Sequence, residues 1–332
     1  MLYIRADGNS EIGTGHIMRC LSIAAAYRKS GGNCVFVTAD ERMKPLIDEN
    51  GFSVICLYSI WNDLDREIEK MEQLIAERRI ERLLVDSYFV TPDYLTRLHK
   101  LTYLIYMDDI DSFVYPCSEL INYNINADKL DYPSRYPNTR LRLGPKYAPL
   151  REEFNDLPPH QIRRHAESAL ITTGGSDPFN IAEQLATQAN RHPYLAHLHF
   201  NIVVGRFSKR VPELQAIVDE HPGVAIHRNV SSISELMRDS DIAVSAGGST
   251  LYELCACGVP TVVYTMADNQ REIASAFSDG YMLGCGDWRD GGKECLERII
   301  ANLFRLADCY ELRKELAKKC WGLVNPRAPL PL

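Results

Sequence analysis

Three glycine-rich turns are the segments of this 332-residue sequence that are best suited to bind a ligand. Each turn follows a short apolar run and precedes a helical pattern. Glycine lets the backbone approach a ligand closely, and the unpaired amides at the start of a helix attract anions. Two of the turns lie in the second half of the chain, so a phosphate site there is favoured over tight turns alone. The residues are Gly13 and Gly15, then Gly174, Gly175 and Ser176, then Gly247, Gly248, Ser249 and Thr250.

The spacing of these glycines excludes two common nucleotide-binding motifs. None of the turns contains the P-loop pattern or a complete G-x-G-x-x-G pattern, so neither a P-loop NTPase nor a dinucleotide redox cofactor is expected. No cofactor is predicted. Glu253 follows Gly248 by five residues, and from there its carboxylate can accept hydrogen bonds from two ribose hydroxyls. A solvated helix glutamate is the alternative, which the apolar neighbours Leu251 and Leu254 make less favourable.

His16 is the strongest single candidate for catalysis. It stands at the first turn of a predicted helix, where unpaired amides and the positive end of the helix dipole disfavour the imidazolium form. The neutral form is the one that a general base needs near pH 7. A lone histidine is more often a capping or packing residue, but the glycines before His16 expose it to a ligand. Asp7, which follows the first predicted strand, is a candidate for orienting its ring.

Acidic residues end two further predicted strands at the same edge of the sheet. Asp86 begins the run Asp-Ser-Tyr that ends in Tyr88, and Asp108 and Asp109 form a pair after another strand. Paired aspartates can hold a metal, but no third acid or histidine follows at close spacing. We therefore interpret them as hydrogen-bonding or turn residues. The ten cysteines include no C-x-x-C pair and are typical of small buried hydrophobic residues, so no metal site is predicted.

Composition narrows the classes of partner. Lys and Arg number 37 against 44 Asp and Glu, a formal charge of −7. That balance lacks the basic excess of a nucleic-acid-binding protein. No apolar run reaches the length of a membrane span. The chain runs directly into a strand pattern without the charged and apolar segments of a secretory signal, so a cytoplasmic protein is expected.

Short apolar runs alternate with helical patterns from end to end, which predicts an α/β protein with parallel sheets. In the first half, the predicted strands are residues 2–6, 34–38, 54–57, 82–86, 103–108 and 140–143. One predicted helix begins at His16 and ends at Gly31 and Gly32, and another covers residues 63–79. Residues 109–140 are interpreted as irregular.

The pattern restarts after a proline-rich linker at residues 144–161. The predicted strands of the second half are residues 169–173, 200–204, 224–227, 242–245, 261–264 and 281–283. A helix-forming tail at residues 292–321 is able to pack on either domain. The sequence therefore predicts two doubly wound, Rossmann-like domains, residues 1–150 and 151–332, that face each other across a cleft.

Five segments together resemble the UDP-2,4-diacetamido-2,4,6-trideoxy-β-L-altropyranose hydrolases of pseudaminic acid biosynthesis. They are IGTGHIMRC at residues 12–20, DSY at 86–88, LGPKYAPLR at 143–151, ITTGGSDP at 171–178, and residues 245–270. The resemblance covers nearly the whole chain. That family is similar in fold to the two-domain inverting glycosyltransferases of GT-B type, particularly the N-acetylglucosaminyl transferase of peptidoglycan synthesis.

The resemblance implies a function for each domain. The second domain is expected to hold UDP and the first domain the sugar. His16, Tyr88 and Asn269 correspond to the family's active-site residues, and Arg19, within the first segment, is expected to bind substrate. The resemblance also connects the chain to pseudaminic acid biosynthesis and flagellin glycosylation.

The residues fit a hydrolysis of this kind. UDP is a good leaving group, so one base that activates water can suffice without a protonated carboxylic acid. Glycine-rich amides can stabilise charge on the departing diphosphate, and water that attacks C1 opposite UDP inverts that centre. Cleavage at the β-phosphorus would more plausibly call for a divalent ion. Two alternatives stay open: a UDP-sugar glycosyltransferase of the same fold, and a nucleotide-sugar-binding sensor without turnover.

Overall fold

The structure, a computed structural model, describes residues 1–175, 177–205, 208, 211–228, 230 and 232–324. The chain divides into two compact units. The first unit is Met1–Glu152, and the second begins at Glu153.

The first unit is a seven-stranded sheet with helices between its strands. The strands are β1 Leu2–Ala6, β2 Cys34–Thr38, β3 Ser53–Cys56, β4 Arg82–Asp86, β5 Tyr103–Met107, β6 Glu119–Asn122 and β7 Arg140–Leu143. The helices are α1 Gly15–Lys29, α2 Lys44–Glu49, α3 Ile68–Arg78, α4 Pro92–His99 and α5 Tyr132–Arg135. The strand order is β3-β2-β1-β4-β5-β6-β7, and every neighbouring pair is parallel.

Burial on both faces explains the apolar strands of this sheet. All five residues of β1 are buried, as expected for a parallel sheet that is covered by helices on each side. The register of β1 and β4 pairs Ala6 with Asp86. Because parallel strands end at the same edge, the residues that follow β1, β4 and β5 come together there.

The second unit is a six-stranded parallel sheet. Its strands are β8 Ser168–Thr172, β9 His199–Val204, β10 Val224–Arg228, β11 Ile242–Ala246, β12 Thr261–Thr265 and β13 Leu283–Asp287. Its helices are α6 Ile181–Arg191, α7 Val211–Glu220, α8 Ile233–Arg238, α9 Thr250–Cys257, α10 Asp268–Ser278, α11 Gly292–Asp308 and α12 Tyr310–Trp321. The strand order is β10-β9-β8-β11-β12-β13.

In both sheets the strand order reverses between two central neighbours, β1 and β4 in the first and β8 and β11 in the second. Ligands of doubly wound sheets bind at the carboxyl ends of the strands at such a switch point. Each of the three glycine-rich turns follows one of these central strands. The predicted class of two doubly wound α/β domains is confirmed.

The structure corrects two sequence predictions and decides a third that was left open. Residues 109–140 are not wholly irregular, because β6 and α5 lie within them. The last strand is β13, so its prediction at residues 281–283 was wrong; Gly284 and Gly286 interrupt its apolar pattern. The tail forms two helices, α11 and α12, which meet at Cys309 and belong to the second unit.

The structure also bears on two expectations from composition, those for the cysteines and for membrane spans. All ten cysteines are free thiols and eight of them are buried, which confirms their interpretation as small hydrophobic residues. Among the helices of the described residues, none is both long and apolar enough to cross a membrane.

Candidate functional site

His16 is held by a buried carboxylate at the switch point of the first sheet. It is the second residue of α1 and is 5% exposed. Its Nδ1 atom lies 2.6 Å from Oδ1 of Asp86, the last residue of β4. Asp7, the residue expected to orient the ring, instead pairs with Arg5 at 2.5 Å and accepts the amide of Ala39 at 2.8 Å. The expectation for Asp7 was therefore wrong, and Asp86 takes that position.

The charge of Asp86 decides which nitrogen of His16 carries the proton. Burial by itself raises the pKa of Asp86, but the Arg19 guanidinium and the hydrogen bonds from Arg19 and His16 outweigh it and hold that pKa well below its usual range. An ionised carboxylate only accepts hydrogen bonds, so in the neutral imidazole the proton lies on Nδ1 and Nε2 keeps its lone pair. Within the described residues, Nε2 has no hydrogen-bond partner. It is also not one of the buried atoms that the protein closes off from solvent without a partner. It is available as a base.

Arg19, one turn further along α1, joins two carboxylates. Its Nε and Nη2 atoms donate to Asp86 at 2.6 and 2.5 Å, and Nη1 donates to Asp109 at 2.6 Å and to the hydroxyl of Tyr123 at 2.9 Å. The remaining N–H on Nη2 lies 3.1 Å from His16 Nδ1, which itself donates to Asp86 and therefore cannot accept it. Four of the five N–H groups of this guanidinium thus donate to protein oxygens. A substrate contact for Arg19 stays a prediction, whereas its observed contacts are those of a positioning residue.

Tyr88 lies against His16. The two rings meet edge to face with centroids 4.5 Å apart. The Tyr88 hydroxyl donates to Asp109 Oδ2 at 3.0 Å. The structure therefore brings His16 and Tyr88 together in one hydrogen-bonded cluster of the first unit, with Asp86, Arg19 and Asp109.

The sequence analysis did not select Asp109 or Tyr123 as site residues. Asp109 was interpreted as a hydrogen-bonding or turn residue, and it fits the first of these, since it accepts from Arg19 and Tyr88 at the edge where ligands bind. Asp108 does fit the turn interpretation, since its Oδ1 accepts the amides of Ile110 and Asp111, both at 3.0 Å. Among the described residues, no group of three His, Cys, Asp or Glu side chains could hold a metal ion.

The second glycine-rich turn follows β8 and precedes α6. Gly174 has a φ of +80°, which favours glycine. The carboxylate of Asp177 accepts the amides of Ile181 and Ala182 at 2.8 and 3.1 Å. The first amides of α6 are thus already paired with an anion of the protein. Gly175 is part of this turn, and Ser176 lies outside the described residues.

The third glycine-rich turn, after β11, leaves its helix start open. A side chain at Gly247 would come within 3.1 Å of the Gln270 carbonyl oxygen, whereas a Cβ at Gly248 would meet nothing within 4 Å. No side chain caps α9, and the amides of Ser249 and Thr250 pair with no described group. Unpaired amides at a helix start bind anions, so this turn is able to hold one, and the phosphate-binding roles expected for Gly174, Gly175 and Ser176 stay predictions.

Glu253 and Asn269 are the other predicted residues of the second unit. Glu253 lies in α9, one turn beyond its start, and is half-buried. Asn269 is the second residue of α10 and is exposed. His16 and Tyr88 belong to the first unit and Asn269 to the second. The catalytic roles expected for these three residues remain predictions.

Gly13 and Gly15 lie at the end of the loop that joins β1 to α1, just before His16. Gly13 has a φ of +73°, and a Cβ at either glycine would meet nothing within 4 Å. Asn9, in the same loop, is buried; its Oδ1 accepts the amides of Glu11 and Ile12 at 2.7 and 3.0 Å. Hydrogen bonds within the loop therefore define its conformation, and the space beside Gly13 and Gly15 is open.

One family matches part of the second unit. Residues 169–283 match the Glycosyltransferase family 28 C-terminal domain. This segment runs from the second residue of β8 to the first residue of β13 and includes both glycine-rich turns of that unit.

Three curated relatives extend the similarity over most of the chain. A UDP-2,4-diacetamido-2,4,6-trideoxy-β-L-altropyranose hydrolase from Campylobacter jejuni is 27% identical over 82% of this chain and 93% of its own length. The spore coat polysaccharide biosynthesis protein SpsG of Bacillus subtilis is 23% identical over 97% of this chain and 93% of its own. An uncharacterised protein of Methanocaldococcus jannaschii is 28% identical over 81% of this chain, which spans only 56% of that relative's length. The resemblance to the hydrolase family is confirmed.

Solved structures show the same fold. MurG from Acinetobacter baumannii superposes with a TM-score of 0.67 at 14% identity, covering 99% of this chain and 96% of its own. The spinosyn rhamnosyltransferase SpnG gives a TM-score of 0.65, also at 14% identity, covering 98% and 97%. These similarities, with the family 28 match, confirm the GT-B-like fold class.

Proposed function

We propose that this protein is a metal-independent enzyme that hydrolyses a UDP-sugar to UDP and the free sugar. In this proposal, water attacks C1 opposite UDP and inverts that centre. The proposed substrate is UDP-2,4-diacetamido-2,4,6-trideoxy-β-L-altropyranose, on the strength of the similarity to the C. jejuni hydrolase. The reaction would then belong to pseudaminic acid biosynthesis in the cytoplasm, upstream of flagellin glycosylation.

The pair His16–Asp86 is the observation that carries this proposal. With its Nδ1 proton held by Asp86 at 2.6 Å, His16 can take a proton from water through Nε2. Asp86 also stabilises the imidazolium that forms, as the carboxylate does in other Asp–His pairs. Arg19 holds Asp86 with two hydrogen bonds, which fixes the plane of the carboxylate and hence the direction of the ring.

The second unit supplies the complementary half of the reaction. The unpaired amides of Ser249 and Thr250 at the start of α9 suit the diphosphate, and they stabilise the negative charge that UDP acquires as it leaves. Glu253, one turn along the same helix, is proposed to accept hydrogen bonds from the ribose. Asn269, exposed at the start of α10, is proposed to contact the sugar or the attacking water.

A UDP-sugar glycosyltransferase is the second candidate, and the family 28 match favours it. Both candidates use the same nucleotide site and the same fold. They differ in the nucleophile: a sugar hydroxyl in a transferase and water in a hydrolase. A sensor that binds the nucleotide sugar without turnover is a third possibility; no nucleic-acid partner is proposed.

Release of UDP from a panel of UDP-sugars separates these functions. We expect purified protein to release UDP in buffer with EDTA and without an acceptor sugar, and the His16→Asn variant to release far less. A rate that depends on an added acceptor would favour the transferase. Tight binding of the sugar nucleotide without any release would favour the sensor.

A further inference from the structure

One oxygen of Asp109 has no hydrogen-bond partner within the described part of the chain. The side chain is only 5% exposed, and its Oδ2 atom accepts from Arg19 and Tyr88. Its Oδ1 atom is buried and accepts from no described group. An unpaired buried carboxylate oxygen is costly, so its presence calls for a partner that the protein alone does not supply.

The adjacent aspartate shows that this is not a general property of the loop. Asp108 Oδ1 accepts two amides, and its Oδ2 accepts the hydroxyl of Tyr132. Both oxygens of Asp108 are therefore paired within the protein. The missing partner is specific to Asp109, which contacts Tyr88 and, through it, His16.

The surroundings of Asp109 Oδ1 favour a neutral donor over an anion. Counted formally, Asp86 and Asp109 carry two negative charges against the single positive charge of Arg19, a sum of −1. Tyr88 gives its only hydroxyl proton to Asp109, so its oxygen can only accept from a ligand. A diphosphate is repelled by such a surface, whereas a hydroxyl or an amide N–H pairs with it.

We propose that Asp109 Oδ1 binds the sugar of the substrate by accepting a hydrogen bond from an amide N–H or a hydroxyl on the ring. This inference rests on the proposed function, because it takes the first unit to hold the sugar. Asp109 then selects for ring substituents that donate hydrogen bonds, and it holds the sugar beside Tyr88 and His16.

The variant Asp109→Asn tests the contact with little change in shape. Arg19 and Tyr88 both donate to Oδ2, so the amide oxygen takes that place and the NH₂ group replaces Oδ1. This NH₂ group, which donates hydrogen bonds, then faces the N–H or O–H donor of the sugar. Asp109→Glu, which keeps the charge but moves the oxygens by one methylene, serves if the first variant does not fold. Asp108→Asn is the matched control.

Calorimetric titrations in the His16→Asn background measure the contact while the sugar nucleotide stays intact. The probes are UDP and UDP-2,4-diacetamido-2,4,6-trideoxy-β-L-altropyranose. We expect Asp109→Asn to weaken binding of the sugar nucleotide about tenfold or more, as for a lost hydrogen bond to a charged group, and to leave UDP binding unchanged. Asp108→Asn should leave the ratio of the two affinities unchanged.

A second pair of probes identifies the donor. A loss for UDP-N-acetylglucosamine but not for UDP-glucose assigns an amide N–H, and a loss for both assigns a hydroxyl; either result supports the contact. Unchanged binding of all sugar nucleotides would mean that Oδ1 pairs only with water and would overturn it. Equal losses for UDP and its sugars would also overturn it, by showing a structural role.

The proposed hydrolysis is judged separately. If the wild-type protein released no UDP while the Asp109-dependent difference in affinity persisted, hydrolysis would fail and the sugar contact would stand.

Discussion

At the scale of single residues, His16 depends on a partner 70 positions away in the chain. Asp7 is nearer in sequence and also follows a central strand, which made it the natural candidate. The parallel pairing of β1 with β4 sets Asp86 opposite Ala6. The side chain of Asp7 pairs with Arg5 instead of His16. Because residue types alone do not reveal strand register, the candidate base was predictable from the sequence but its partner was not.

The substitution His16→Asn should lower kcat for UDP release by about 10²–10⁴-fold, the usual contribution of a general base. UDP affinity should stay unchanged, because the second unit is proposed to hold the nucleotide. Steady-state kinetics and calorimetry measure the two effects. The control His199→Asn alters an exposed histidine of β9 and should change neither. Parallel losses of UDP affinity and rate would instead assign His16 a structural role.

The substitution Asp86→Asn should reduce both activity and stability. It leaves the buried Arg19 with one carboxylate fewer, and breaking a buried ion pair costs about 3–5 kcal/mol in free energy of unfolding. It also removes the charge that orients His16, so kcat should fall about 10²-fold or more. Asp241→Asn changes another buried carboxylate and should lower stability without lowering kcat. Normal turnover by Asp86→Asn would contradict the Asp–His pair.

The lowered pKa of Asp86 also predicts how stability changes with pH. A carboxyl whose pKa is lower in the folded state stabilises the protein above its unfolded pKa of about 3.9 and loses that contribution as pH falls towards the folded value. From about pH 7 to 5, the ionisation of Asp86 itself should therefore make a constant contribution to the difference in free energy of unfolding between wild type and Asp86→Asn. It should shrink below about pH 4. Urea titrations across this range measure it, and a constant difference down to pH 2 would contradict the prediction.

At the scale of elements, two similar glycine-rich turns of the second unit differ in what their helices leave unpaired. Asp177 accepts the first amides of α6, whereas no side chain caps α9. The sequence motifs predicted that both turns bind phosphate. They could not distinguish the two turns, because the sequence does not show whether Asp177 binds solvent, a metal or the amides of its own helix.

The substitution Gly248→Val should weaken UDP binding by about tenfold or more, since its side chain enters the open space beside the unpaired amides of α9. Stability should hardly change, because nothing lies within 4 Å of the added Cβ. Gly322→Val, at the end of α12, adds a side chain at another open glycine and is the control for UDP affinity. Calorimetry and thermal melting measure both properties, and normal UDP binding by Gly248→Val would exclude this turn from the diphosphate site.

Element prediction from the sequence succeeded where apolar residues run together or alternate with polar ones, and it failed where polar or small residues interrupt that pattern. β1, β2, β4 and β7 have the predicted bounds. β6 was missed because it begins with Glu119, which is buried in an ion pair with Arg142 of β7 and accepts the hydroxyl of Tyr103. That pairing depends on the neighbouring strand, so no local pattern could reveal it.

At the scale of the whole molecule, each unit has its own hydrophobic core, and the proposal assigns the nucleotide to one unit and the sugar to the other. The doubly wound class followed from the alternation of strands and helices. Hydrogen exchange can test the assignment: UDP alone should slow amide exchange at the start of α9, and the intact sugar nucleotide, bound to His16→Asn, should also slow it in residues 8–18. Protection of residues 8–18 by UDP alone would contradict the assignment.

The most direct test of the proposed reaction is to release UDP from the sugar nucleotide in ¹⁸O-labelled water, without an acceptor, and to locate the label by mass spectrometry. Attack of water at C1, with His16 as the base, predicts that the label appears in the free sugar and that UDP stays unlabelled. Label in the β-phosphate of UDP would mean cleavage at phosphorus and would contradict the account.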